Sequence, residues 1–360
     1  MIIEQDVLLA PLTTFRIGGP TRFFVRVASA DEMREAFAFA RTKKIKTLVL
    51  GGGSNVLLRD EGFDGLVIKS EIAGIVRDES VLVAGAGERW DALVERAVGE
   101  HLWGMENLSG IPGTVGGAVA GSIGAYGQAL SQTLLWAEVL DTGSGEIKKK
   151  NNEECRFGYR ESVFSARGGS AFDGSPAIPA APGEMNGSPT PSAAYFAPLI
   201  VLRAAFQLSE LTKPALSYKD LAERFTGRTP SLGEIREAVL EIRRAKFPAP
   251  AEGGCAGSFF KNPVLSPAEA QILREKYPKM SLFALPETAG VKIPLAWLLD
   301  KALNLRGTRV GGARLYEKQP LVIVADANCA AADVRALAAL VQKKVSEAVG
   351  IVPEPEVKIF

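Results

Sequence analysis

Apolar and polar positions alternate along this chain in short runs of two different periods. Arg22-Phe-Phe-Val-Arg-Val27 is rich in aromatic and β-branched residues and predicts a strand. Met33, Ala36, Phe37 and Ala40 then fall at i, i+3, i+4 and i+7, one buried face of a helix. Ser29, with Glu32 three residues on, predicts a capping box at its start. Lys43 and Lys44 suit its end, where carbonyl groups are left over. Thr47–Leu50 is a second short strand and runs directly into Gly51-Gly-Gly-Ser-Asn55. Strand, helix, strand and glycine loop make a small α/β unit.

The same reading continues toward the C-terminus. Val81–Ala84 predicts a strand and Glu88–Val98 a helix. Leu134–Leu140 predicts another strand, and Asp141-Thr-Gly-Ser-Gly145 turns it back as a hairpin. Ser165–Pro198 is dense in Gly, Pro, Ala and Ser without periodicity and reads as a long irregular insertion. Leu199–Leu208 returns to strand. Ser231 with Glu234 opens a helix whose apolar face is Ile235, Ala238, Val239 and Ile242. Ser266-Pro-Ala-Glu269 opens another, with proline at the first helical position. Leu321–Ala325 as strand, Ala331–Val349 as helix and Glu356–Phe360 as a last strand complete the pattern.

Composition narrows the chemistry. The 360 residues are 47% hydrophobic and 23% charged, ample for a core without disulfide or metal staples. A formal net charge of +1 supplies no global field toward nucleic acid or an anionic membrane, so any bound anion must be held by local groups. The single histidine, His101, excludes a multi-histidine metal site. Cys155, Cys255 and Cys329 are far apart and form no C-x-x-C, which fits a reducing compartment. The N-terminal residues lack a basic region followed by an apolar run, so no signal peptide is read there. The longest uncharged stretch, Asn107–Ala137, has the glycine content of a folded loop and is not read as a membrane span. A soluble, cytoplasmic protein without metal, nucleic-acid partner or membrane insertion is expected, and a monomer.

Five segments carry candidate chemistry. Gly51–Asn55 follows a strand, and its glycines can bare backbone N–H groups to cradle a pyrophosphate or serve only a tight turn. Gly110-Ile-Pro-Gly-Thr-Val-Gly-Gly117, continuing to Gly127, can wrap donors around a polyphosphate or a flat ring, or pack as a buried loop. Neither is a Walker A loop nor G-x-G-x-x-G. Arg160 lies in Gly158-Tyr-Arg-Glu-Ser162, where a surface pair with Glu161 is the common fate. In Cys255–Pro263, Gly257 lets the backbone come close before Ser258, and Phe259-Phe260 bury the segment. No G-x-S-x-G elbow is present, and with almost no histidine Ser258 suits a proton donor better than a nucleophile, while on this segment alone an N-cap or turn serine is the plainer reading. Finally, Glu356 precedes a hydrophobic end that is either a solvated tail or a strand tied into a sheet.

Taken in order, these pieces resemble the UDP-N-acetylenolpyruvoylglucosamine reductase family. The matching segments are Thr14-Phe15, Gly51–Asn55, Ile111–Gly113, Ile123–Gly127, Phe157–Ser162, Gly257–Pro263 and Pro355–Lys358, and they span nearly the whole chain. The resemblance implies an α+β chain: a two-subdomain FAD-binding fold of the vanillyl-alcohol oxidase type plus a third α+β substrate-binding domain. It places the flavin subdomains at residues 1–68 and 69–247, the latter holding the 165–198 insertion and a clamp-loop segment at about 211–230. The substrate domain follows at 248–350, and the tail 351–360 carries a catalytic glutamate.

The resemblance also implies non-covalent FAD, NADPH as co-substrate, and UDP-N-acetylglucosamine enolpyruvate as the sugar. NADPH reduces the flavin and leaves, and flavin N5 delivers hydride to the enolpyruvyl β-carbon. Ser258 then protonates the α-carbon, while Arg160, a protonated Glu356, or both stabilise charge on the carboxylate. Implied flavin contacts are Thr14, Gly51, Gly52, Gly53, Ser54, Asn55, Ile111, Pro112, Gly113, Thr114, Gly117, Ile123, Gly124, Ala125 and Tyr126. Implied substrate contacts are Tyr159, Tyr218, Lys246, Asn262 and Gln319. For Tyr218 and Lys246 the plainer readings are a packed aromatic and a helix-end cation. Ser165 stands where the family commonly has lysine. Two other readings compete. One is another flavoprotein of the vanillyl-alcohol oxidase type, many of which attach FAD through His or Cys; a histidyl attachment is disfavoured because His101 lies outside the first glycine loop. A non-catalytic binder would not need Arg160, Ser258 and Glu356 together.

Overall fold

The computed structural model describes residues 1–164, 199–285 and 290–360. The expected irregular insertion, Ser165 included, lies outside them.

The first sheet holds the parallel strands Pro20–Val27, Phe63–Ser70 and Lys46–Leu50 in that spatial order. The predicted strand–helix–strand unit is present, but its two strands are not neighbours, because Phe63–Ser70 inserts between them. The connecting helix is Ala30–Lys43. Ser29 Oγ accepts the Glu32 N–H, as a cap should, whereas the Glu32 carboxylate takes the N–H of Ala28 instead of closing the box. Met33, Ala36, Phe37 and Ala40 are buried as the spacing requires. They pack on Val25, Leu66 and Ile68 of their own sheet and on Leu140, Ile200 and Leu202 of the next. One helix face thus fastens two sheets together.

The second sheet is antiparallel, in the order Ile147–Asn151, Leu134–Asp141, Leu199–Gln207, Val81–Gly85, Ile75–Asp78. The hairpin at Asp141–Gly145 forms because the Asp141 carboxylate accepts the N–H groups of Gly143 and Ser144. Asn107–Ala137 is not a span: it folds as the short helix Val115–Ala120, capped by Thr114, followed by a small hairpin. Among the described residues no helix is long and apolar enough to cross a membrane. Helix Leu232–Lys246 begins with the full Ser231/Glu234 capping box.

Two small antiparallel sheets, one built on Gly290–Lys292 and one on Ala313–Leu315, pack with helices Pro267–Lys276 and Ala331–Val349 in a third core. That core also takes in Phe15, Ile17, Leu57 and Val357. The N-terminal turn and the chain end are therefore locked to the third unit. Of the predicted strand Glu356–Phe360, Lys358–Ile359 is β and pairs in parallel with Val56–Leu57. Glu356 lies in the turn just before it.

Candidate active site

Three loops converge where the units meet. Gly51–Asn55 leaves the end of strand Lys46–Leu50, with Gly53 in the left-handed region at φ +62°. A Cβ on Gly52 would lie 2.6 Å from Gly113 Cα, and one on Gly51 would lie 2.5 Å from Thr114 Oγ1. The two glycine loops therefore touch backbone to backbone, and their glycines serve close approach as well as turning. Lys69 Nζ donates to the Gly51 carbonyl, and Ser54 Oγ donates to the Pro112 carbonyl. Thr14 N–H donates to Gly53 O at 3.0 Å, while Thr14 O accepts the Cys255 N–H at 3.0 Å. Thr14 thus ties the first glycine loop to the segment bearing Ser258.

Around this junction lies a cavity of about 1440 Å³. It exceeds the ~300–1,000 Å³ of an ordinary small-molecule site, so it has room for a large cofactor beside a substrate. Thr14, Gly51 to Asn55, Ile111 to Thr114, Gly117 and Ile123 to Tyr126 all line it. So do Arg160, Tyr218, Ser258, Asn262, Gln319 and Glu356. The wall carries five cations, Arg16, Arg160, Arg243, Arg244 and Lys358, against two carboxylates, Glu252 and Glu356. A chain close to neutral overall concentrates positive charge in one cleft, which suits a ligand bearing several phosphate charges.

Arg160 sits at the tip of a tight turn closed by Gly158 and Glu161, whose backbones bond reciprocally at 2.9 and 3.2 Å. Its φ of +59° is left-handed, unusual for a side chain this large. Ser122 and Ser162 hydroxyls hold the turn by donating to Gly158 O and Ala120 O. The guanidinium does not pair with Glu161. Instead Nε lies 2.8 Å from Glu356 Oε1, and both side chains are three-quarters buried or more. Among the described residues the Nε–H is aligned with no acceptor, so charge rather than a directed bond holds the pair.

Glu356 reaches this position through backbone contacts. Its N–H donates to Phe259 O at 2.8 Å, and its carbonyl accepts Asn55 Nδ2 at 3.2 Å. Burial pushes its carboxyl pKa up, against the opposing pull of Arg160 and Lys261. Ser258 is half-buried, bridged to Val322 and followed by the fully buried Phe259 and Phe260. Among the described residues its hydroxyl has no protein partner. Gly257 is required by its φ of +74°, not by close backbone approach as the sequence suggested, since a Cβ there would meet nothing within 4 Å.

Tyr159 and Lys246 are not on the cavity wall. The Tyr159 hydroxyl accepts the Asn262 N–H at 3.3 Å, and its ring lies between Arg160 and Lys292. Lys246 Nζ donates to Tyr218 Oη at 2.8 Å and to Asp220 Oδ2 at 2.7 Å. Burial alone would lower its pKa, but those two partners prevail and raise it. The cations that sequence reasoning missed are Arg16, Arg243, Arg244 and Lys358. Lys358 lies inside a segment already singled out, and Arg243 and Arg244 in the basic last turn of a helix. Burial lowers the Arg243 pKa, and the hydroxyl of Tyr126 opposes that shift. Lys358 opens to the cavity yet is surrounded by protein, which lowers its pKa by desolvation.

Residues 21–150 match the FAD binding domain family, and residues 249–360 match the C-terminal domain of UDP-N-acetylenolpyruvoylglucosamine reductase. A UDP-N-acetylenolpyruvoylglucosamine reductase of Amoebophilus asiaticus is 35% identical over 100% of both chains. The chain belongs to the UDP-N-acetylenolpyruvoylglucosamine reductase family. Reductases of that name from Ralstonia nicotianae and Pasteurella multocida are 33% and 32% identical, covering 99% and 98% of this chain and 98% and 95% of theirs. The crystal structure of UDP-N-acetylenolpyruvylglucosamine reductase from Thermus caldophilus superposes with a TM-score of 0.66 at 25% identity, covering 100% of this chain and 99% of that one. The chain is thus an FAD-dependent oxidoreductase with the α+β, FAD-binding fold of its family. The cavity fits that cofactor: two glycine loops in contact form one wall, and Arg16, Arg243 and Lys358, which pair with no carboxylate among the described residues, are available for a diphosphate.

Proposed function

We propose that this chain reduces the enolpyruvyl ether of UDP-N-acetylglucosamine enolpyruvate to UDP-N-acetylmuramate, using NADPH. The observation that carries this reading is the meeting of Arg160 and Glu356, far apart in sequence, on the wall that also holds Ser258 and both glycine loops. Bound FAD supplies the hydride chemistry. Every other part belongs to the protein. Arg160 offers a guanidinium to the substrate carboxylate, which gains charge during reduction. Glu356, kept protonated to higher pH than an exposed carboxyl, donates a hydrogen bond to the same group. The Ser258 hydroxyl, without a protein partner among the described residues, gives its proton to the α-carbon. The surplus cations on the wall, Arg16, Arg243 and Lys358, suit the diphosphates of cofactor and sugar.

Tyr159 serves through Asn262 rather than by direct contact, and Lys246 reaches ligand only by leaving Asp220. This reading keeps the flavin subdomains at 1–68 and 69–247, the substrate domain at 248–350 and the catalytic tail at 351–360. The separate sheets support it, although strand Phe63–Ser70 runs two residues past the first boundary. A cytoplasmic monomer suits a nucleotide-sugar substrate.

The test is an anaerobic absorption spectrum of the purified protein, with NADPH added first and the enolpyruvyl sugar second. Bleaching by NADPH followed by recovery with the sugar is expected. Bleaching without recovery overturns the substrate assignment. In Ser258→Ala the bleaching rate stays near wild type while recovery slows by about 10²- to 10⁴-fold. Unchanged recovery in that variant removes Ser258 as proton donor.

A further inference from the structure

Behind the cavity wall lies a fully buried polar cluster of Glu106, Asn107 and Gln128, which the catalytic reading does not use. Gln128 Nε2 donates to Glu106 Oε1 at 2.9 Å, and Gln128 Oε1 accepts the Asn107 N–H at 2.9 Å. Glu106 Oε2 accepts the Gly104 N–H at 2.7 Å. The Asn107 backbone is thereby held in place. Its side-chain amide then reaches two segments remote from each other in sequence. Nδ2 donates to Tyr126 O at 2.6 Å and to Ala215 O at 2.8 Å, using both of its hydrogens.

These two carbonyls flank the two tyrosines of the cavity. Tyr126 is held at a left-handed φ of +49°, a conformation a bulky residue keeps only when its surroundings impose it. Ala215 lies three residues before Tyr218. The rings of Tyr126 and Tyr218 meet edge to face, 5.1 Å between centroids and 87° between planes. The adjoining backbones also crowd, since a Cβ on Gly127 would lie 2.5 Å from Ser217 Oγ. Burying Asn, Gln and Glu together is costly, and the cluster bears that cost although Asn107 Oδ1 meets no donor among the described residues. A cluster spent on joining these two loops is well suited to orienting what they carry.

We propose that Asn107 is a positioning residue for catalysis: its side-chain amide pins the flavin loop at Tyr126 to the clamp segment at Ala215, so that Tyr126 and Tyr218 close on the ligand as one unit. Asn107 does not itself line the cavity. The part concerning the ligand rests on the function proposed above, and the part concerning the two loops does not.

Asn107→Leu keeps the side-chain volume and deletes both donors. In the full-length, FAD-loaded protein, backbone hydrogen exchange of residues 124–129 and of residues 213–219 should accelerate together by about tenfold, while that of strand Leu199–Gln207 stays unchanged. Acceleration in only one segment, in neither, or uniformly across the molecule overturns the proposal. In turnover, KM for the enolpyruvyl sugar and for NADPH should rise by about tenfold with kcat within about threefold, the mark of lost ground-state positioning. A fall in kcat at unchanged KM, as a smaller folded fraction would give, overturns it as well. If the wild type turns over no sugar, the function proposed above fails, and the exchange experiment still decides the coupling. Should Asn107→Leu not fold, selective ¹⁵N-asparagine labelling of the wild type decides instead. Both side-chain protons of Asn107 should be protected from exchange with water, and exchange at the rate of a free amide overturns the proposal.

Discussion

At the scale of single residues, the site depends on one carboxyl whose environment sets its charge. Burial raises the Glu356 pKa above its ordinary 4.5, and Arg160 and Lys261 only partly offset this. The folded chain therefore holds that proton more tightly than the unfolded chain. This contribution to stability is fully present below pH 4.5 and is lost as pH rises through the elevated folded value. Under the proposed function the same proton bears on activity. The rate of flavin reoxidation by the enolpyruvyl sugar should fall with rising pH on a limb that begins above the ordinary carboxyl range. Glu356→Gln, which keeps an N–H donor at every pH, should flatten that limb, as stopped-flow absorbance across a pH series would reveal. An unaltered profile would assign the limb to another group. Arg160 shows what residue-level reading overlooks. Its nearest carboxylate in sequence is Glu161, but the left-handed turn directs the guanidinium away, to a glutamate 196 positions later.

Elements are where sequence and structure agree best. Helices Ala30–Lys43 and Leu232–Lys246 lie where their 3.6-residue spacing predicts, because that spacing creates a face that must be buried, and Pro267–Lys276 starts where its cap and proline predict. The glycine loops are the instructive case. Their glycines announce unusual backbone, but not which neighbour requires it. Gly52 needs no left-handed angle; it needs room for Gly113. Gly52→Ala should therefore wedge the two loops apart and weaken FAD binding by at least about tenfold. The thermal midpoint of the flavin-free protein should fall by only a few degrees, roughly 2–4 °C per kcal/mol for a chain of this size. Flavin fluorescence titration beside differential scanning calorimetry separates the two. Unchanged flavin affinity would mean that the loop contact does not shape the cofactor wall.

For the whole molecule, the decisive feature is the return of the last residues to the first glycine loop. Lys358–Ile359 pairs with Val56–Leu57, Lys358 N–H donates to Asn55 O, and Arg59 N–H donates to Phe360 O. The tail therefore supports the first glycine loop as well as carrying Glu356. Deleting residues 355–360 should abolish sugar reduction and also lower the FAD retained on purification, whereas Glu356→Gln should leave FAD content unchanged. The ratio of flavin to protein absorbance in the two variants checks this. Equal flavin content in both would restrict the tail to its glutamate.

The sequence by itself determined the local elements, the neutral balance of charge, the two glycine loops and the ordered set of segments that marks the family. Each of these follows from spacing and residue type within a few dozen positions. The pairing of Arg160 with Glu356, the gathering of Arg243, Arg244 and Lys358 on one wall, and the diversion of Lys246 to Asp220 were decided only by tertiary structure. So was the strand that separates Pro20–Val27 from Lys46–Leu50. The physical reason is the same throughout: a charged or polar group takes the partner that packing brings within about 3 Å, and separation along the chain carries no information about that partner once the intervening residues have folded.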